Sequence, residues 1–161
     1  MTNNDILRSL RFAFDFSDKK AVELFSKDPN SVAKINKAEF QARIAKEEDA
    51  NYIECSDGEL GAFLDGLIAH NRGLQEGKAP TPPISRLTKN DVLKKLRIAL
   101  NYREEDMLAT LKSGGTTLSK SELSALFRKP QHKHYRSCGN QVLRNFIKGL
   151  CVKLRPLTKD Q

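Results

Sequence analysis

The sequence predicts an all-α protein made of two tandem, pseudo-equivalent four-helix units. Two observations lead to this prediction: the chain repeats itself once along its length, and apolar residues in both copies recur at helical spacing. No run shows the strict alternation of apolar and polar residues that is typical of a half-buried strand. A proline-containing stretch separates the copies. We therefore predict a first unit over residues 1–73, a linker over 74–88 and a second unit over 89–161.

The repeat becomes visible when the chain is aligned with itself. NDILRSLRFAF at residues 4–14 returns as NDVLKKLRIAL at 90–100, an offset of 86. Farther along, NKAEF at 36–40 returns as SKSEL at 119–123, an offset of 83. The second copy is therefore three residues shorter between about residues 26 and 35, a difference that a loop tolerates.

Four helices are predicted in each copy, and the first and third begin with the spacing of a capping box. In a capping box the first side chain accepts a backbone N–H, and the side chain three residues later accepts one in return. The second helix is expected near 18–26 and 103–112, because turn-forming residues follow both stretches. The capping pairs are Thr2 with Asp5, Thr88 with Asp91, Asn36 with Glu39, and Ser119 with Glu122.

The fourth helix has the clearest apolar face in both copies. Its apolar residues follow the i, i+3, i+4, i+7 spacing of a stripe that packs against the core. Gly66 and Gly149 interrupt the two helices, where glycine costs about 1 kcal/mol relative to alanine, so we expect another helix to approach closely there. The predicted stripe contains Leu60, Phe63, Leu64, Leu67 and Ile68 in the first copy, and Leu143, Phe146, Ile147, Leu150 and Leu154 in the second.

The two copies carry opposite charge. The formal net charge is −3 over residues 1–73 and +10 over 89–161, so the second copy accounts for the overall value of +8. The contrast is sharpest after the third helix, where AKEEDANYI at 45–53 aligns with RKPQHKHYR at 128–136. One copy is acidic where the other is basic.

The cations of the second copy predict a protein that binds nucleic acid or another polyanion through its C-terminal unit. Lysine and arginine neutralise phosphates and release their counterions, and an exposed aromatic ring can stack on a base. Arg144 and Lys148 are four residues apart and therefore share one helix face. The candidate polyanion-binding residues are Lys120, Arg128, Lys129, Lys133, Arg136, Arg144 and Lys148.

A second hypothesis explains the same charges. The acidic segment of one copy and the basic segment of the other are complementary, which would suit a protein-interaction module or a homodimer without catalysis. A simple solvated surface is a third explanation, because most runs of charge in proteins face water.

Catalytic and cofactor-binding patterns are weak. Gly114-Gly115 fits neither the Walker nor the Rossmann spacing, so no cofactor is predicted and an enzyme is the least supported class. Cys55 and Cys138 each precede the fourth helix, where a thiol can act as a nucleophile, but their recurrence favours a shared position in the core.

The remaining polar patterns predict neither a metal site nor a membrane partner. His132, His134 and Cys138 have the spacing of metal ligands, but the first copy does not repeat the histidines and no fourth ligand is evident. No stretch approaches the roughly 18 consecutive apolar residues of a membrane span, and the N-terminus has no export pattern. We therefore expect a cytoplasmic protein.

Four segments together carry a resemblance that covers nearly the whole chain. They are NDILRSLR, ECSDGELGAFLDGLI, the linker into KNDVLKKLRIAL, and SELSALFRKPQHKHYRSCGNQVLRNFIKGL. In these segments the sequence resembles the YehS-like family of small bacterial proteins of unknown function. The resemblance implies no activity, and it carries no catalytic or binding residue to this chain.

A more limited resemblance concerns LRIALNYREEDMLATLKSGGTTLSKSELSALFRKP at residues 96–130, which is similar to helix-turn-helix repressor domains. The resemblance implies that a helix beginning near Ser119 enters the major groove, with Lys120, Ser121 and Ser124 facing the bases. The segment KSGGTTL is longer than the three- or four-residue turn of that motif. A helical hairpin used only for packing explains the same residues.

Overall fold

The computed structural model describes residues 1–29, 31, 34–73 and 86–155. The chain divides into two compact units. Unit 1 contains Met1–Arg11 and Phe16–Leu87, and unit 2 contains Phe12–Asp15 and Thr88–Gln161. Residues 74–85, which make up most of the predicted linker, lie outside the described residues.

Helices form the described part of the chain, and their order repeats, which confirms the predicted all-α fold with a tandem repeat. No strand occurs in the described ranges, and none of the helices there has both the length and the apolar composition needed to cross a membrane. In each unit the second helix packs against the third and the fourth. The first set is α1 (Asn3–Ala13), α2 (Asp18–Phe25), α3 (Lys37–Ile44) and α4 (Asp57–Arg72). The second set is α5 (Lys89–Leu100), α6 (Glu104–Ser113), α7 (Lys120–Leu126) and α8 (Asn140–Leu154).

The four predicted capping boxes are all present. Thr2 and Asp5 exchange hydrogen bonds at the start of α1, with 2.9 and 3.1 Å between donor and acceptor. The same reciprocal pattern begins α3, α5 and α7. A further box, between Ser56 and Glu59, begins α4 and was not predicted. Because these caps satisfy backbone N–H groups that a helix leaves unpaired, the sequence sets each of these helix starts locally.

The glycines of the fourth helices lie where another helix approaches closely, as predicted. A Cβ atom added to Gly66 would lie within 3.0 Å of the carbonyl oxygen of Leu24 in α2. A Cβ atom added to Gly149 would come equally close to the carbonyl oxygen of Thr110 in α6. Leu24 and Thr110 are themselves separated by the offset of 86 found in the sequence. The same helix contact therefore occurs in both units.

Apolar side chains fill the core of each unit from the predicted helix faces. In unit 1 the ring of Phe25 lies 6.2 Å from that of Phe40 and 5.3 Å from that of Phe63, measured between centroids. In unit 2 Phe146 of α8 is fully buried. The prediction is wrong for one residue of the apolar stripe. Leu154 is 39% exposed, because it is the last residue of α8.

Unit 1 contains a nearly buried ion pair that unit 2 replaces with apolar residues. Arg43 of α3 approaches the Glu59 carboxylate to 2.8 Å, and the two side chains are 11% and 21% exposed. Burial disfavours the charged form of Glu59, but hydrogen bonds from Arg43 and from the Ser56 backbone outweigh it and lower the pKa of this carboxyl. The aligned residues in unit 2 are Leu126 and Val142.

Candidate polyanion-binding surface

The candidate cations lie mainly on α7 and on the loop that follows it, residues 128–136, which we call the basic loop. Backbone hydrogen bonds hold this loop in a defined conformation. The Arg136 N–H donates to the Ala125 carbonyl in α7 at 3.1 Å. Within the loop, the N–H of His132 donates to Lys129 at 2.9 Å, and that of Tyr135 donates to His132 at 3.0 Å. The loop therefore presents its side chains from a fixed backbone.

A buried asparagine side chain fastens the end of the basic loop to the helices. The Asn90 Nδ2 atom donates to the carbonyls of Leu126 and Arg136, both at 2.9 Å. Its Oδ1 atom accepts the Cys138 N–H at 2.8 Å. Asn90 is 8% exposed, so these backbone groups would lack partners without it. This role was not predicted from the sequence, although the asparagine recurs in both copies.

Unit 1 contains the same fastening. The Asn4 side chain, 1% exposed, donates to the carbonyls of Arg43 at 2.9 Å and Ile53 at 2.8 Å. It accepts the Cys55 N–H at 2.9 Å. Each partner in unit 1 aligns with the corresponding partner in unit 2. The same buried side chain therefore holds an equivalent loop in both units.

The loop that follows α3 has the backbone bonds of the basic loop. The Ile53 N–H donates to Ala42 in α3 at 3.1 Å. The N–H of Asp49 donates to Lys46 at 2.9 Å, and that of Tyr52 donates to Asp49 at 3.1 Å. The two loops thus share one scaffold, and their chemical difference lies in the side chains that they carry.

Two arginines of the basic loop contact other groups of unit 2. The Arg128 Nη1 atom donates to the His134 carbonyl at 3.4 Å. The Arg136 Nη1 atom lies 3.4 Å from Oε2 of Glu122, in the first turn of α7. Hydrogen bonds from Ser119, together with Arg136, lower the pKa of the Glu122 carboxyl. Arg128 therefore bonds within the basic loop, and Arg136 bonds α7.

Three lysines of the candidate set are exposed on the same two elements. Lys120 is the first residue of α7, two positions before Glu122, while Lys129 and Lys133 lie on the basic loop. We refer to Lys120, Arg128, Lys129, Lys133 and Arg136 as the basic surface.

The other two candidate cations lie on α8. Arg144 and Lys148 are both exposed and one helical turn apart, as their spacing predicts. The Arg144 Nη1 atom donates to Oε1 of Gln141 on the same helix at 3.2 Å. Among the described contacts, none joins these two side chains to the residues of the basic surface.

The aromatic residues near the basic surface are half-buried. The Arg97 guanidinium lies over the Phe127 ring, 4.8 Å from its centroid. Tyr135 is half-buried, as is Tyr52 at the aligned position. The face of Phe127 that contacts Arg97 is therefore already occupied by a cation–π interaction.

The two histidines of the basic loop contact each other rather than the neighbouring cysteine. The His132 Nδ1 atom accepts the His134 N–H at 3.0 Å, and the two rings lie 5.6 Å apart. Cys138 is buried, and its N–H donates to Oδ1 of Asn90. In the part of the chain that the structure describes, no three histidine, cysteine or acidic residues form a group suited to a metal ion.

The aligned cysteines have the properties of core residues. Cys55 is 2% exposed and Cys138 is 7% exposed. Burial raises the pKa of Cys55 to about 12 and that of Cys138 to about 11. A thiolate nucleophile requires a lowered pKa, so this environment opposes the nucleophile interpretation of both thiols.

The segment that resembles a helix-turn-helix motif contains the two expected helices. Helices α6 and α7 are separated by residues 114–119. Lys120, Ser121 and Ser124 are exposed on α7. The connection is longer than the tight turn of that motif, and α7 ends at Leu126, which makes it a short helix.

Comparison with known proteins places the repeat in a family. The model of a family described as Protein of unknown function (DUF1456) matches the chain twice, at residues 3–73 and 89–155. The chain belongs to this family. It is also 35% identical to Uncharacterized protein YehS of Escherichia coli (strain K12) over 153 residues, which cover 95% of this chain and 96% of that protein. Both findings agree with the resemblance seen in the sequence, and the two family matches coincide with the two copies of the repeat. No solved structure matches the chain.

Proposed function

We propose that unit 2 binds nucleic acid or another polyanion through the basic surface, mainly by contacts with phosphates. One observation supports the proposal most directly: a single loop scaffold occurs twice, and its exposed positions are strongly cationic in only one copy. Packing of the scaffold does not require Arg128, Lys133 and Arg136, since unit 1 builds the same loop with apolar residues at the aligned positions. These residues are Ala45, Ala50 and Ile53 in unit 1, whereas Lys129 aligns with another lysine, Lys46.

A fixed loop suits phosphate binding for an energetic reason. Ordering a flexible loop on binding costs conformational entropy, which reduces the affinity that its cations can provide. The bonds from Asn90 and from within the basic loop hold that backbone before any ligand arrives. The ammonium groups at the ends of the lysine side chains can then contact phosphates and release their counterions.

The proposal includes little recognition of base sequence. Contacts with phosphates position a protein, whereas base edges have to be read from a groove. The exposed N-terminal residues of α7 are the ones that the helix-turn-helix resemblance would assign to base contacts. Because α7 is short and follows a long connection, we expect only weak base preference from Lys120.

The experiment measures fluorescence anisotropy of labelled duplex and single-stranded DNA at about 50 mM salt, where electrostatic association is strong. The test variant carries Lys120→Glu and Lys129→Glu. The control variant carries Lys37→Glu and Lys46→Glu, the aligned positions of unit 1. All four lysines are exposed, so the two variants change the net charge equally.

We expect the test variant to bind both probes more weakly than the control. If both lysines contact phosphates, the slope of log affinity against log salt on the duplex should become shallower by about 1.8. Equal weakening in the two variants would mean that only net charge matters, and the basic surface would lose its role. If the wild-type protein binds neither probe, the polyanion proposal fails and the protein-interaction hypothesis takes its place.

A further inference from the structure

Unit 1 has a groove beside α3 and the loop that follows it. In unit 2 the equivalent elements, α7 and the basic loop, form the basic surface. The groove has a volume of about 630 Å³ and lies between α3 and the loop over residues 45–53. Much of its lining consists of small side chains, so the surface is recessed there. The lining includes Ala38, Ala42, Ala45, Glu39, Asp49 and Ile53.

Arginines stand at the aligned positions of unit 2. Ala45 aligns with Arg128, and Ile53 aligns with Arg136. In unit 2 these two guanidinium groups bond within the unit, to the His134 carbonyl and to Glu122. Unit 2 therefore supplies arginine side chains to a surface where unit 1 has an alanine and an isoleucine.

The carboxylate that receives an arginine in unit 2 is present in unit 1 as well. Glu39 and Glu122 both cap their helices: Oε1 accepts the N–H of Asn36 at 3.1 Å in one unit and of Ser119 at 3.0 Å in the other. In unit 2 the second oxygen of Glu122 takes the Arg136 guanidinium. The corresponding atom in unit 1 is Oε2 of Glu39, and Glu39 is one of the residues that line the groove.

We propose that this groove binds an arginine side chain from a peptide segment of a partner protein. The Glu39 carboxylate receives the guanidinium in the way that Glu122 receives Arg136, and Asp49 adds a second negative charge to the lining. Exposed Glu47 and Glu48 on the same loop favour the approach of a cationic segment. The partner is thus defined by chemistry as an arginine-bearing peptide.

This inference does not depend on the polyanion proposal, because it concerns the other unit and a ligand of opposite charge. The probe is the peptide acetyl-Gly-Ala-Arg-Ala-Gly-amide, added to the full-length ¹⁵N-labelled protein and followed by two-dimensional ¹H–¹⁵N NMR. The control peptide carries citrulline in place of arginine, which keeps the shape and removes the charge. We expect shifts at the amides of Glu39, Ala42 and Asp49, with the citrulline peptide binding at least about tenfold more weakly.

Two variants test the site in different ways. Glu39→Gln removes the negative charge but keeps an oxygen that can accept the Asn36 N–H, so the cap on α3 remains. Ile53→Arg introduces the arginine of unit 2 at an exposed position. The new guanidinium can pair with the Glu39 carboxylate and so compete with the peptide. Both variants should weaken peptide binding by about tenfold. Glu122→Gln, the matched change in unit 2, should leave it unchanged.

Several results would overturn the inference. Equal shifts with the arginine and citrulline peptides would show that the charge is not recognised. Unchanged binding to Ile53→Arg, or shifts located in unit 2, would show that the groove is not the site. Shifts at the groove amides that depend on protein concentration without peptide would identify a second copy of this chain as its occupant.

Discussion

Replacing Asn90 with alanine removes the side chain that fastens the basic loop. The substitution takes partners from two carbonyls and one N–H, which Asn90 now bonds at 2.9, 2.9 and 2.8 Å. A buried backbone group without a partner costs about 1–3 kcal/mol. Because water can enter the space left by the side chain, we expect a total loss near 3 kcal/mol rather than the full sum. In a unit of this size, that loss lowers the melting temperature by about 12–24 °C.

Urea denaturation followed by circular dichroism measures this loss, and amide hydrogen exchange locates it. The exchange of the Cys138 N–H should become much faster in Asn90→Ala, because that N–H loses its acceptor. Asn4→Ala should have the same effect in unit 1, where the Cys55 N–H exchanges faster. Asn140→Ala, at an exposed position at the start of α8, is the control.

If Asn90→Ala lowers the unfolding free energy by less than about 1 kcal/mol, the contribution of one ordinary hydrogen bond, the Asn90 side chain does not fasten the loop. An equal loss in Asn140→Ala would contradict this role as well. Unchanged hydrogen exchange of the Cys138 N–H would mean that another group holds the end of the loop. Asn4 and Asn90 would then not have the same role in the two units.

Helix packing and the Arg43–Glu59 pair can be tested by substitution as well. Gly66→Ala should lower the unfolding free energy by about 1–3 kcal/mol in urea, because the Cβ meets the backbone of α2; Gly139→Ala, with nothing within 4 Å of its Cβ, should change it little. Arg43→Leu should lower the unfolding free energy by about 2 kcal/mol in the same assay, because it leaves Glu59 without its cation. Arg43→Leu with Glu59→Val, as in unit 2, should restore only part of this loss, because Glu59→Val also removes the capping box at the start of α4. Because the folded-state pKa of Glu59 is lowered from its ordinary value of 4.5, its ionised form stabilises the protein above that pH. The stability difference between wild type and Glu59→Gln should therefore shrink as the pH falls below the ordinary value, and a difference that is independent of pH in thermal unfolding would contradict this assignment.

Local sequence signals predicted much of the fold. The capping boxes follow from residues three apart, and the helical faces follow from apolar spacing, so neighbouring positions contain the information. Gly66 and Gly149 indicated a close helix contact because glycine inside a helix is unfavourable without a reason. The repeat supported each of these predictions a second time, since both copies had to satisfy the same packing.

The contacts between distant residues were not predictable in the same way. Asn90 bonds groups 36, 46 and 48 residues away, and bonds from a side chain to a distant backbone have no periodic signature. The available signal was the recurrence of Asn4 and Asn90 one turn before an apolar residue on a buried helix face. The Arg43–Glu59 pair had no such signal, because unit 2 does not repeat it.

The candidate cations were assigned from charge and alignment, and the contacts of the folded chain divide them. Arg128 and Arg136 bond groups of the basic loop and of α7, whereas Arg144 belongs to α8 and bonds its own helix. A count of charges along the sequence does not distinguish these two groups. These contacts depend on how the helices pack, which follows from the buried faces rather than from the exposed cations.

One loop scaffold occurs in both units, and we propose that only its basic copy binds polyanions. Two-dimensional ¹H–¹⁵N NMR of the full chain, titrated with an unlabelled DNA oligonucleotide, tests this proposal, because both units report in one spectrum. The largest shifts should fall within residues 120–136, while the aligned residues 37–53 should change little. Equal shifts in the two segments, or shifts confined to 37–53, would contradict the claim.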